Sequence, residues 1–222
     1  MLKIGTRILA ILTPLVIIGA WWYLVGVIET NTPFNSGLNY YGADSTHSEQ
    51  YKVSDFSYIN QYQDTVTRAK FENKIWVTDF FFTTCDGICP IMNANLKLVH
   101  DTFIDNPNIL FLSHTVDPET DTYELLKKYA DRHGAKKDKW DFVTGASEAI
   151  YKAARTSYFV ATPRDSSMKE DFVHSQLLCL VDPHLHIRGY YDGTNGKDMI
   201  KLIRDIRLLI KEYPQTDLVK KE

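Results

Sequence analysis

The chain opens on an unbroken apolar run, ILAILTPLVIIGAWWYLVGVI over residues 8–28, with no charged side chain. Crossing roughly 30 Å of hydrocarbon takes about 20 apolar residues at the helical rise, whereas a signal-peptide core needs only some 7–15 and ends in a small-residue cleavage site. No A-x-A pattern follows, so the run predicts an uncleaved transmembrane anchor over a cleaved signal or a buried core helix. Lys3 and Arg7 precede it and Glu29 follows, which puts the short amino end in the cytoplasm and everything after residue 29 outside. Trp21, Trp22 and Tyr23 sit nearer the outer end, where amphipathic rings suit the interface.

Residues 30–50 are polar, bear glycine and proline and show no periodicity, so they predict a spacer without regular structure. Residues 53–59 are β-like. Residues 75–83, IWVTDFFFT, are almost continuously aromatic or β-branched, the pattern of a central strand covered on both faces. Pro90 then opens a helix in which Met92, Leu96, Val99 and Phe103 form one apolar stripe. Further along, 109–116 predicts a second buried strand, 122–133 a helix ended at Gly134, 140–144 a short strand and 146–155 a helix. Residues 177–181 and 187–191 form a hairpin, and 197–211 an amphipathic closing helix. The alternation means an α/β fold whose central mixed sheet, parallel in the middle with an antiparallel edge, is flanked by helices. The domain plan is therefore a cytoplasmic stub and anchor over 1–29, a linker over 30–50, one folded domain over 51–214 and a tail over 215–222.

Composition narrows the function. The 25 basic and 28 acidic residues give a formal net charge of −3 and form no polybasic stripe, which argues against nucleic acid. Cysteine is scarce, three in all, and two of them lie in Cys85-Asp-Gly-Ile-Cys89-Pro90. That is the usage of a reactive or metal-binding pair, and not of a disulfide-stapled scaffold. The pair falls between the central strand and the following helix, where backbone N–H groups and the helix dipole favour thiolate. With three residues between them the two sulfurs lie one helical turn apart and can share a single ion, and Gly87 lets the loop bend around it. The pair alone fits either a disulfide or a metal. His174, just before the strand 177–181, supplies a third ligand if that strand neighbours the one leading to Cys85, although alone it reads equally well as a structural histidine. Two thiolates and an imidazole suit Cu(I), while structural zinc prefers four protein ligands and no fourth is evident.

Four segments, FFFTTCDGICPIMN, SHTVDPETDT, WDFVTG and DFVHSQLLCLVDP, resemble in order the signatures of the SCO/SenC family of thioredoxin-fold copper proteins, and the likeness covers residues 51–213. The resemblance implies a thioredoxin-like fold and a copper ion held by Cys85, Cys89 and His174, with Cys85 and Cys89 also a redox, disulfide-capable pair. It implies a metallochaperone that delivers copper to, or a reductase that acts on, the binuclear copper site of cytochrome c oxidase subunit II. With the anchor, it implies a single-pass protein of the cell inner membrane with its domain on the periplasmic side. The chain departs from the family's V-D-H-S pattern, since Val173 directly precedes His174 and Asp171 is displaced, so a supporting carboxylate at that position is not implied.

Other residues carry plainer readings. Cys179 reads as a buried core thiol, Met92 as part of the helix stripe, His114 as a satisfied strand-end histidine, and His184 and His186 as exposed on the hairpin. His47, His100 and His133 join no constellation. A thiol-disulfide oxidoreductase is the runner-up function, but redox thioredoxins use C-x-x-C spacing and a proline beside the site, and residues 171–176 hold no proline. A peroxidase ranks third, because a peroxidatic cysteine is an isolated thiolate and not one of a shared pair.

Overall fold

A computed structural model describes residues 17–21, 34–42, 48–160 and 175–214. The expected membrane span falls mostly outside the described residues. Of its run, 17–21 are helical, and among the described residues no helix is long and apolar enough to cross a membrane. The chain divides into two units, residues 1–35 and residues 36–222.

The second unit is built on one seven-stranded sheet in the order β2-β1-β5-β4-β3-β6-β7. Its strands are β1 (Ser57–Asn60), β2 (Thr65–Thr67), β3 (Ile75–Phe81), β4 (Ile109–Thr115), β5 (Trp140–Thr144), β6 (Leu177–Val181) and β7 (Ile187–Asp192). β3, β4 and β5 pair in parallel, while β6, β7, β1 and β2 are antiparallel to their neighbours. The mixed α/β sheet with flanking helices is the expected architecture. Every residue of β3 and β4 is buried, which is why both strands appear in the sequence as apolar runs and not as alternations.

Among the described residues of this unit, four α-helices flank the sheet: α1 (Ile88–Thr102), α2 (Tyr123–Arg132), α3 (Ser147–Lys152) and α4 (Gly196–Glu212). α1, α2 and α4 cover one sheet face, where Met92, Leu96, Val99, Leu126, Leu202 and Ile206 pack against Val77, Phe111 and Phe142. The segment before β1, together with α3, covers the other face over Trp76, Phe80, Leu112 and Cys179. The helix stripe anticipated at Met92, Leu96, Val99 and Phe103 is buried throughout. α1 begins two residues before Pro90, with Gly87 as its N-cap. Proline fits there because N–H groups of a helix's first turn have no intrahelical partner, so its missing donor costs nothing.

Other differences are local. The β-like stretch 53–59 becomes a strand only from Ser57, and β2 is three residues long with one buried side chain, too short to show a period. The helix after β5 widens into a π-turn over Ala153–Ser157, whose Ser157 Oγ accepts a hydrogen bond from Ser54 N–H at 3.0 Å. In the stretch read as an unstructured spacer, Ser48–Gln50 form a short 3-10 turn and Tyr41 bridges Ile187. Arg188, fully buried, donates to Ser36 Oγ and to the Leu38 carbonyl at 3.1 and 3.2 Å, pairs with Asp182 at 3.0 Å and lies over the Tyr40 ring.

The seat of α1 on the sheet is what positions the cysteine helix. Leu96, with no exposed surface at the centre of that contact, is expected to cost about 2–5 kcal/mol when truncated to alanine. Urea unfolding followed by tryptophan fluorescence measures it.

Candidate metal centre

β3 ends at Phe81, and the chain turns through Phe82 to Cys85, where the Cys85 N–H donates to the Phe82 carbonyl at 3.3 Å. Four residues later Cys89 lies in the first turn of α1. Both thiols are free, Cys85 partly exposed and Cys89 buried. Burial works against ionising Cys85. Hydrogen bonds from the Cys89 thiol and from the backbone N–H groups of Cys89, Gly87 and Ile88 outweigh it, and together they hold the Cys85 thiol below its ordinary value. Cys89 is driven the other way, by burial first and then by the Cys85 sulfur that accepts its proton and by the charge of Asp79. The two thiols are therefore unequal, Cys85 the more readily ionised, at a helix start that carries no acidic residue in its first turn.

Beneath the pair lies a polar group that the sequence reading did not single out. Asp79 on β3 is buried, accepts a hydrogen bond from Ser113 Oγ at 2.5 Å, and has a second oxygen without a partner among the described residues. Ser113 in turn accepts from the Trp140 indole at 2.9 Å. Burial pushes the Asp79 carboxyl up to about 7, against the hydrogen bond from Ser113. The signal in the sequence was an acidic residue inside the apolar run IWVTDFFF, where a charge has no ordinary reason to sit. Close by, Asn93 Nδ2 donates to the Cys89 carbonyl at 3.0 Å and to the Tyr129 hydroxyl at 2.9 Å, fastening the first turn of α1 to α2.

His174, Asp171 and Val173 lie outside the described residues, as does His47. From Ser175 the residues are described again; the Gln176 carbonyl accepts from Gly193 N–H at 2.7 Å, and the Gly193 carbonyl accepts from Asn95 of α1 at 2.8 Å. The entry to β6 is thus tied to the cysteine helix. Among the described residues no group of three or more His, Cys, Asp or Glu side chains is arranged to hold a metal.

The remaining candidates separate by sheet face. Cys179 is fully buried in the core opposite the cysteine pair, and burial raises its thiol well above the ordinary range, which makes it an inert core residue as expected. His114 sits on that same far face, stacked on Phe80 with ring centroids 4.7 Å apart. It is less satisfied than a strand-end histidine should be. Thr78 spends its hydroxyl proton on the Leu112 carbonyl, so the contact at 3.1 Å assigns the His114 proton to Nδ1, and buried Nε2 is left without a partner among the described residues. Burial lowers its pKa to about 3 and keeps the ring neutral. His184 is exposed as anticipated; His186 is not, and lies 3.4 Å from Asp182. His100 is buried in the core between Phe111 and Trp140, with Nδ1 2.8 Å from Asp101.

An α/β sheet whose central strand delivers a C-x-x-x-C pair to a helix start defines a thiol-bearing protein of the thioredoxin-like class. Residues 44–211 match the SCO1/SenC family model, and the chain belongs to that family. It is 29% identical over 158 residues to the SCO1 protein homolog of Bacillus subtilis (strain 168), covering 71% of this chain and 82% of that one. Among solved structures it is similar to BsSco, a member of the Sco family of cytochrome c oxidase assembly proteins in which a disulfide switch has been identified. The TM-score is 0.62 at 28% identity, covering 72% of this chain and 93% of that one. It is also similar to Arabidopsis thaliana ScoI with copper bound, with a TM-score of 0.57 at 26% identity over 70% of this chain and 98% of that one.

The Asp79 carboxyl makes a pH prediction. Its folded pKa is raised, so the stability it contributes is full below its unfolded value near 4 and is lost as pH rises toward about 7. Asp79→Asn, which keeps the shape and the acceptor for Ser113, is expected to match the parent protein near pH 3.5. Between pH 4 and 7 it should gain on the parent by up to roughly 1.4 kcal/mol per pH unit, then level off. Denaturant unfolding of both proteins across that range measures the difference.

Proposed function

We infer that this chain is a copper metallochaperone that carries Cu(I) on Cys85, Cys89 and His174 and delivers it to the binuclear copper site of cytochrome c oxidase subunit II. The observation that carries the reading is the cysteine pair itself: two free sulfurs at one helix start, one already biased to thiolate by backbone N–H groups. The donor set fits a soft monovalent ion, since two sulfurs and one imidazole match the low coordination number that Cu(I) accepts. On loading, Cys85 presents a thiolate, Cys89 gives up its proton, and His174 serves as the neutral ring.

The topology supports the choice of His174. β6 runs antiparallel to β3, with Cys179 opposite Thr78 and Val181 opposite Trp76, so the amino end of β6 adjoins the carboxyl end of β3. Cys85 follows that end of β3 and His174 precedes that end of β6 in the chain. Two similar proteins support the cargo and its destination, since Arabidopsis ScoI has been solved with copper bound and BsSco is a cytochrome c oxidase assembly protein. The apolar run at 8–28 supports a single anchor in the inner membrane with the domain on the periplasmic side, within reach of a membrane-bound oxidase.

The same pair of unequal thiols favours a second reading, in which the protein reduces the cysteines of the oxidase site by thiol-disulfide exchange. Cys85, partly exposed and with its thiol held below the ordinary value, is the sulfur that such an exchange uses to attack.

His174→Ala separates the two. If copper is the cargo, the variant keeps its capacity to form the Cys85–Cys89 disulfide but loses at least tenfold in Cu(I) affinity and fails to support oxidase assembly. Exchange needs the two sulfurs and not the imidazole, so a reductant would keep its function. Oxidase activity in cells whose only copy carries His174→Ala, with protein level matched, is the measurement. Full activity at normal abundance would replace the metallochaperone with the reductase.

A further inference from the structure

Asp121 stands on the connection between β4 and α2 and has no exposed surface. A buried carboxylate is costly unless donors surround it. Here Thr83 supplies two of them: its N–H donates to Oδ2 at 3.1 Å and its hydroxyl donates to Oδ1. The Thr115 hydroxyl gives a third, 2.5 Å from Oδ2. Asp121 is itself held firmly, because its own N–H donates to the Asp117 carbonyl at 2.8 Å and its neighbour Thr122 caps α2. Two of these three bonds therefore end inside the turn Phe82 to Cys85, whose own closing hydrogen bond is long at 3.3 Å. The turn that delivers Cys85 is fixed more by Asp121 across the sheet end than by its own backbone.

We propose that Asp121 is a positioning residue for the cysteine pair: through Thr83 it holds the Cys85 turn in the arrangement of the reduced pair, and so sets the balance between dithiol and disulfide. The proposal rests on the reading of Cys85 and Cys89 as the working site. In the arrangement described, Cys85 lies under the N–H groups of Gly87, Ile88 and Cys89. A turn released from Asp121 no longer favours that arrangement, and the disulfide gains relative to the dithiol.

The test is equilibration of the full chain, in detergent and without metal, with oxidised and reduced dithiothreitol. The protein dithiol gives two electrons and two protons to the oxidised reagent, one S–S bond forming between Cys85 and Cys89 as the reagent's ring S–S bond breaks. Asp121→Asn and Thr83→Val should each shift the equilibrium at least fivefold toward the protein disulfide. Thr115→Val removes a bond to the same carboxylate without touching the turn, and should shift it less than twofold even if its melting temperature falls as far. Should Asp121→Asn fail to fold, Thr83→Val against Thr115→Val carries the comparison. An equal shift in all three variants, or none in Asp121→Asn and Thr83→Val, overturns the proposal while leaving the site reading intact. A parent protein that forms no reversible disulfide overturns both.

Discussion

A thiol pair becomes useful when the fold holds both sulfurs at a place where ionising one of them costs little. In this protein that place is the junction at which β3 hands the chain to α1. β3 is buried along its whole length, so it cannot shift without exposing apolar surface on both faces. Its end is therefore a fixed point, and the N–H groups that open α1 converge on whatever follows it. Cys85 follows it. Burial argues for a neutral thiol there, yet the hydrogen bonds from Gly87, Ile88 and Cys89 prevail, and the pair divides into an ionisable sulfur and a protonated one. Either proposed role, metal capture or disulfide exchange, would start from that division.

The sheet also separates chemistry from ballast. Asp79, Cys89, Asn93 and Tyr129 lie on the α1 face, whereas Cys179 and His114 lie on the other, in a core closed by aromatic rings. Cys179 is thus kept out of thiol chemistry by a layer of strands and by burial that raises its thiol. His114 is likewise enclosed there and its ring neutral, although it stands near the end of a strand adjoining β3.

Much of this was legible in the sequence where burial is local and periodic. The apolar runs of β3 and β4 and the stripe Met92, Leu96, Val99 and Phe103 announce their elements because each buried position shows in the residue type itself. Cys85 and Cys89 stood out as plainly, since two scarce residues at a strand-helix boundary point to a reactive or metal-binding pair. What escaped depends on partners far along the chain. Asp79 meets Ser113 across 34 positions and Asp121 meets Thr83 across 38, and no window of sequence shows that a polar residue will be buried and satisfied at such a distance. β2 escaped because three residues carry no period, and the strand stretch at 53–59 was overlong because Val53 is buried without being in the sheet. The alternation of β4 places His114 on the far face, but does not show that its Nε2 would find no partner among the described residues.

The proposed site holds one soft ion by two sulfurs and one nitrogen. Sulfur and copper K-edge absorption on the reduced full chain, loaded anaerobically with one equivalent of Cu(I), tests it most directly. Two sulfur neighbours and one imidazole nitrogen, with the nitrogen lost in His174→Ala and the sulfurs lost when Cys85 and Cys89 are replaced by serine, is the predicted result. A copper shell made only of oxygen and nitrogen, or one unchanged in His174→Ala, contradicts it.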